Sequence, residues 1–377
     1  MKRGVKFLCL FMAVMVVSGC SNNSETGKSD QDDTKQTTEA KDGEETDPAD
    51  DSEVEEELTA EESVPVESVD KTKVYVTPEW VQSVIDGEQP ESEDYVIIEA
   101  SWGSAGDSPD YKKEHIPGSV HGDISSIESE PYWNLSEPDV VEKAILDLGV
   151  TKDTTAIFYG LDSGTTRMAF AFLWAGVENV KVLNGGLQSW KEAGFDTEEG
   201  ENTPEPKSEF GVEVPAHPEY SLDIEDAKDK LENDVNFRLV SIRSKDEFDG
   251  VTSGYNYIDK AGEPKGAVWG HAGSDPYSME DYTNEDGTYI SLEQAQELWK
   301  DYDISLDNDL SFYCGTGWRA TIPWLLCYEA GNHATVFDGG WYQWQMNDDY
   351  PVQVGDPDSE DVVYTTVGEL STDKAAQ

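Results

Sequence analysis

The chain has 377 residues, with 80 Asp plus Glu against 26 Lys plus Arg and a formal net charge of −54. That balance excludes a phosphate-backbone binder, whose affinity is built from clustered Lys and Arg, so no nucleic-acid partner is expected. Hydrophobic residues still make up 37 % of the chain, 11 Trp among them, which excludes wholesale disorder.

At the N-terminus, Lys2, Arg3 and Lys6 precede an apolar run from Phe7 to Val17. The run falls well short of the roughly 20 residues that span a bilayer and reads as the apolar part of a signal peptide. It ends in Val17-Ser18-Gly19-Cys20, which resembles a bacterial lipobox, where the Cys becomes the lipid-modified first residue of the mature protein. Residues 1–20 are therefore expected to be a lipoprotein signal peptide. The mature protein would be exported and lipid-anchored through Cys20 to the outer face of a bacterial membrane. Residues 21–70 carry 19 acidic and three basic residues and no aromatic, and are expected to form a disordered acidic tether.

Beyond the tether, β-rich runs alternate with helical spacing. Tyr95-Val96-Ile97-Ile98, Ala156-Ile157-Phe158-Tyr159 and Val180-Lys181-Val182-Leu183 read as buried parallel strands, and 141–148 and 167–175 as helices. The pattern then repeats. Lys181 to Gly186 with Trp190 returns as Thr335 to Gly340 with Trp344, and Ile157-Phe158-Tyr159-Gly160 returns as Ser311-Phe312-Tyr313-Cys314, both 154 residues on. Arg167 and Arg319 are 152 apart, and Pro117 to Val120 is echoed by Lys265 to Val268. The expected fold class is α/β, with two doubly wound domains, each a mainly parallel sheet flanked by helices. The first would span 71–197, a linker 198–219 and the second 220–356, with an acidic tail at 357–377.

Of four cysteines, Cys9 lies in the signal segment and Cys20 at the lipobox. Cys327, in the apolar stretch Trp324 to Tyr328, reads as a core residue, which leaves Cys314 as a free thiol. It sits between a strand (Leu310 to Tyr313) and a helix from Ala320 onward, in Cys314-Gly315-Thr316-Gly317-Trp318-Arg319. Loops leaving the C-terminal ends of parallel strands are where such sheets build sites. Two glycines let backbone amides turn toward the sulfur, and the helix start and Arg319 favour the thiolate. Two thiols and five scattered His do not make a metal site, and there is neither a dinucleotide fingerprint nor a P-loop. No metal or cofactor is expected.

With these residues in place, the body (about 71–354) resembles the tandem-domain rhodanese family, the thiosulfate and 3-mercaptopyruvate sulfurtransferases. CGTGWR at 314–319 is similar to their active-site loop, and Gly339-Gly340 with Trp344 to the segment after the last main strand. His115-Ile116-Pro117-Gly118 matches their first-domain motif, and Arg243 with Glu247-Phe248 and Gly250 a segment whose Arg faces the substrate anion. The resemblance implies that Cys314 takes a sulfane sulfur from a small anionic donor, thiosulfate or 3-mercaptopyruvate, and passes it from a persulfide to a thiol or to cyanide. It also implies that Gly315, Thr316, Gly317, Trp318, Arg319 and Arg243 bind the donor, and that the first domain, with Gly160 in place of Cys314, is inactive. Ser241 stands where the family usually has Asp, and Trp318-Arg319 matches neither donor class. Two other readings remain. A Cys-dependent phosphatase would need five residues between Cys and Arg, where this loop has four. A non-catalytic binding or sulfur-sensing module would keep the fold without the turnover.

Overall fold

The structure, a computed structural model, describes residues 66–160 and 162–376. The signal segment, Cys20 and all of the tether before residue 66 lie outside the described residues. In chain order the first half runs β1 (Tyr75–Val76), α1 (Pro78–Ile85), β2 (Tyr95–Ser101), α2 (Pro109–Lys113), β3 (Val120–Asp123), the small pair β4 (Glu128–Ser129) and β5 (Asn134–Leu135), α3 (Pro138–Asp147), β6 (Thr155–Gly160), α4 (Asp162–Ala175), β7 (Asn179–Leu183) and α5 (Gly186–Glu192). The second half opens with β8 (Ser221–Leu222), α6 (Ile224–Asn233), β9 (Phe237–Ser241), α7 (Lys245–Phe248), β10 (Glu263–Pro264), β11 (Val268–Trp269) and α8 (Leu292–Trp299). It continues with β12 (Asp309–Tyr313), α9 (Thr321–Glu329), β13 (Ala334–Phe337), α10 (Gly340–Trp344), β14 (Pro351–Val354) and β15 (Val363–Thr366).

Each half is built on a five-stranded parallel sheet. The orders are β1-β7-β6-β2-β3 and β8-β13-β12-β9-β11, the same path through the same five positions. The central strands β6 and β12 carry near-continuous apolar sequence because helices cover both faces of a parallel sheet. Both halves are thus the α/β unit that the internal repeat implies.

The halves meet through α4 and α9. α4 is buried from Thr165 to Ala175 and α9 from Thr321 to Cys327, as a helix must be when it packs on its own sheet and on a neighbour at once. Phe170 meets Trp324 edge to face at 4.8 Å, and the Thr166 and Thr321 hydroxyls lie 2.8 Å apart. One apolar core runs through both halves, from Val74 to Val336. Each fully buried aromatic in it contributes roughly 1.5–3 kcal/mol.

The acidic tail expected at 357–377 carries structure as far as it is described, to residue 376: Val363–Thr366 forms β15, antiparallel to β14, in a small sheet of order β10-β14-β15 that has no three-stranded counterpart among the described residues of the first half. Val367 is fully buried. Farther on, Ser253 donates its amide to Lys374 O, and Ala376 donates to Tyr255 O. The buried Val367 and the backbone pairing of β15 with β14 hold the segment despite the surrounding carboxylates.

Candidate active site

Cys314 is the first residue past β12 and is 1 % exposed. Its carbonyl accepts from Trp341 N (2.9 Å) and that of Gly315 from Tyr342 N (3.0 Å), so the start of α10 fixes the direction of the loop. With these carbonyls turned onto α10, the amides of residues 315–320 donate to no protein acceptor among the described residues. A row of unpaired N–H groups beside a thiol suits an anion on or next to the sulfur. Gly317 has φ 89°, and a Cβ there would lie 2.9 Å from Asp338 O, so the turn that creates this row requires glycine. Cys327 is a second free, buried thiol whose burial pushes it up to about 12, in keeping with a packed residue.

The two arginines expected to bind the donor lie in a buried charge network. Arg319 forks onto Glu247, Nη1 to Oε2 and Nη2 to Oε1, both at 2.9 Å, and Nη2 also donates to the Tyr255 hydroxyl (3.1 Å). Arg243 donates to Glu247 (3.2 Å), Glu263 (2.6 Å), Gly262 O (2.9 Å) and Ser253 O (3.2 Å). Both guanidinium groups and both carboxylates are buried. Burial would raise the Glu247 carboxyl, but Arg319 and Arg243 outweigh it and hold it down at about 2. Burial prevails at Glu263, pushed up to about 8 against the pull of Arg243. Arg243 thus braces the protein around Glu247 through its own hydrogen bonds. Glu247 does double duty, since it also closes the capping box of α7 with Ser244.

Sequence reasoning named Glu247 only as part of a motif and missed the tyrosines. The Tyr255 ring lies over Gly315, where a Cβ would stand 2.4 Å from Cε2. Tyr257 and Tyr277 flank that ring at 5.3 and 5.8 Å between centroids, and Tyr342 lies 5.6 Å from Tyr257. Tyr277 is 64 % and Tyr257 48 % exposed, so the aromatic group faces solvent on one side and the loop on the other. On the opposite flank, Trp318 joins Trp102 and Trp133 of the first half. Loop tyrosines at irregular spacing carry no periodicity, and the family motif does not include them.

Elsewhere the motif residues are structural. His115 is buried, bonding Tyr111 O and the Glu198 carboxylate, so it ties the linker to the first half. His271 stacks on Trp269 at 3.9 Å and faces Asp281. In the first half, Gly160 lines a cavity of about 560 Å³ with Thr165, Gly186 and Tyr277. Among the described residues, no cluster of three His, Cys, Asp or Glu that would hold a metal ion is present.

The family model for the rhodanese-like domain matches residues 77–193 and 223–347. The chain is 41 % identical over 293 residues to thiosulfate sulfurtransferase YnjE of Escherichia coli, a match over 75 % of this chain and 66 % of that relative, just under two thirds of its length. A protein of Haloferax volcanii described as a putative thiosulfate sulfurtransferase is 26 % identical, over 75 % of this chain and 96 % of that one. Among solved structures, YnjE superposes with a TM-score of 0.71 at 40 % identity, covering 75 % of this chain and 68 % of its own. The anaerobic ergothioneine biosynthesis enzyme of Chlorobium limicola, solved with its natural substrate trimethyl histidine, gives 0.71 at 35 % identity, covering 76 % and 71 %. Two matched domains, two sheets of one order and the Cys314 loop lead to one conclusion: the chain belongs to the rhodanese-like domain family, in its tandem form.

Proposed function

We propose that this chain is a sulfurtransferase that carries a sulfane sulfur on Cys314. The observation that carries the reading is the buried thiol beside the unpaired amides of residues 315–320. With thiosulfate, the Cys314 thiolate attacks the outer sulfur, an S–S bond to the protein forms, the bond to the inner sulfur breaks and sulfite leaves. With 3-mercaptopyruvate a C–S bond breaks instead and pyruvate leaves after taking up a proton. The resulting persulfide anion is stabilised by the loop amides. An acceptor thiol or cyanide then attacks the outer sulfur and returns Cys314 as thiolate, which gives ping-pong kinetics. The test is turnover of either donor with cyanide or a thiol, against Cys314→Ser. If the parent gains no sulfur from either donor, the non-catalytic module becomes the reading.

A second reading of the acceptor rests on the aromatic rim. Arg243 and Arg319 are buried and both bonded to Glu247, and four tyrosines form the rim. Such a rim suits an aromatic or cationic acceptor through ring faces. The Chlorobium limicola enzyme, solved with trimethyl histidine, is a neighbour with that kind of substrate. Here the persulfide sulfur would replace the hydrogen of an imidazole C–H, releasing Cys314 as thiol. Mass gain of one sulfur on a histidine betaine tests it.

We also propose export and lipid anchoring through Cys20, supported by Lys2, Arg3, Lys6, the apolar run and Val17-Ser18-Gly19-Cys20. Expression of the full chain in a bacterium with intact-mass analysis of its N-terminus should find a lipid on Cys20. Cys20→Ala should release the protein from the membrane fraction.

A further inference from the structure

The first half has lost the thiol but kept the arginine of its own loop. Arg167, in the second turn of α4, is the counterpart of Arg319, and it pairs with carboxylates of both halves. It is fully buried, with Nε 2.7 Å from Glu128 Oε1 and Nη2 2.6 Å from Asp338 Oδ1. Asp338 belongs to the second half and opens the Asp338-Gly339-Gly340 turn. Gly340 abuts the carbonyls of Cys314 and Gly315, and α10, which begins there, holds both. The Leu135 amide of the first half also donates to Asp338, at 2.7 Å.

A second link runs from Glu128 to the loop itself. Trp318 Nε1–H donates to both oxygens of Glu128, at 2.9 and 3.0 Å. Arg167 Nη1 has no acceptor among the described residues and stands 3.1 Å from where a Gly317 Cβ would be. Gly164, one turn from Arg167, would bring a Cβ to 3.0 Å from the Trp318 ring. Both walls of the Cys314 cradle, the 315–319 loop and the Asp338 turn, are therefore fastened to one ion cluster that the first half contributes. Surface pairs of this kind do little, but a buried cluster bonded to its neighbours fixes side chains to one arrangement.

We propose that Arg167 and Glu128 are positioning residues for the Cys314 loop, holding Trp318 and the Asp338 turn so that the loop amides stay aimed at the sulfur. This rests on Cys314 being the sulfur carrier. The first half then acts as the clamp that arms the second, which gives the half without a thiol a part in catalysis although it touches no substrate.

The experiment measures single-turnover sulfur uptake from thiosulfate by intact mass in the full chain, in Trp318→Phe, Arg167→Met and the double variant. Trp318→Phe keeps an aromatic ring but loses the five-membered ring with its N–H, and because Trp318 is only half-buried in a loop, this variant keeps the test open where Arg167→Met, which strips a fully buried ion pair, fails to fold. Expected is a fall in the maximal rate of about tenfold or more in each single variant, with the half-saturating donor concentration within about threefold, since orientation and not binding is lost. The double variant should be no slower than the slower single one, because both cut the same link. Glu128→Gln, which keeps an oxygen for Trp318, should retain more rate than Glu128→Ala. Maximal rates within about twofold of the parent in folded variants, or losses that multiply in the double variant, would overturn the proposal. A Cys314→Ser chain that still gains sulfur would instead remove the carrier reading on which it stands.

Discussion

β6 and β12 occupy the same place in sheets of the same order, yet they end differently. β12 stops pairing at Tyr313, opposite Ser241, and Cys314 leaves the sheet into the loop. β6 pairs one residue farther, so Gly160, the counterpart of Cys314, still lies in the strand opposite Ala100. It has φ 152°, and a Cβ there would lie 2.2 Å from Ala100 O. The first half therefore lacks more than a side chain: its backbone has closed over the position where a sulfur would sit. The arginines diverge in the same way. Arg319 stays on Glu247 within its own half, while Arg167 crosses to Asp338. A duplicated unit has kept its sheet and its arginine and lost the exit from the strand, and that exit is what makes a thiol usable.

The comparison breaks most sharply at the thiol. Cys314→Ser should lower sulfur transfer by about 10³-fold or more with an unchanged melting temperature, since nucleophile replacements in other enzymes cost at least that much. Turnover within about tenfold of the parent would mean that another group carries the sulfur. Next in size is Arg319→Met, which leaves Glu247 as a buried carboxylate with only Arg243 beside it. Removing one partner of a buried pair costs roughly 3–5 kcal/mol, to be read from denaturant unfolding. Glu247 sits at about 2, below its ordinary 4.5, so its contribution is present above pH 4.5 and is lost as pH falls toward 2. In Arg319→Met that acid-side loss should shrink.

Gly160→Cys sharpens the comparison from the other half. Because the backbone and not the side chain closes that site, the variant should gain no second persulfide. It should also lose about 1–3 kcal/mol of stability from strain at the strand end. Two sulfur atoms per chain would show that the halves differ only by the residue.

A smaller effect separates the interdomain cluster by pH. Burial pushes Glu128 up to about 7 against the pull of Arg167, with Trp318 donating to it and Asp338 sharing the same guanidinium. A carboxyl raised in the fold stabilises fully below its unfolded value near 4.5 and loses that contribution as pH rises to about 7. Between pH 4.5 and 7 the parent should therefore lose stability relative to Glu128→Gln, measured as the difference in melting temperature. A constant difference would contradict the raised carboxyl. The smallest effect is expected from Tyr277→Ala, the most exposed ring of the rim. Acceptor KM should rise by a few fold, about 1 kcal/mol or less, with sulfur uptake unchanged.

Much of the fold was legible because parallel strands buried on both faces write themselves as apolar runs, and duplication writes itself as a fixed offset. Tyr95 to Ile98, Ala156 to Tyr159 and Val180 to Leu183 all fall inside observed strands. The two-residue edge strands β1 and β8 are too short to carry a pattern, and β15 lies in a charged segment whose few apolar residues looked incidental. In the loop, chemistry was legible at Cys314 and its glycines, since their spacing is local. Partners were not. Arg243 and Arg319 find Glu247 and Glu263, and Trp318 finds Glu128 some 190 residues away. A charge in a sequence does not announce whether it meets substrate or another charge, and only the packing of α4 on α9 brings Glu128 and Arg167 under the loop.

The most direct test is the intact mass of the purified chain before and after thiosulfate, then separately 3-mercaptopyruvate, beside Cys314→Ser. The expected result is a gain of one sulfur, reversed by cyanide and absent from the variant. No gain from either donor, or the same gain in Cys314→Ser, would contradict the persulfide at Cys314.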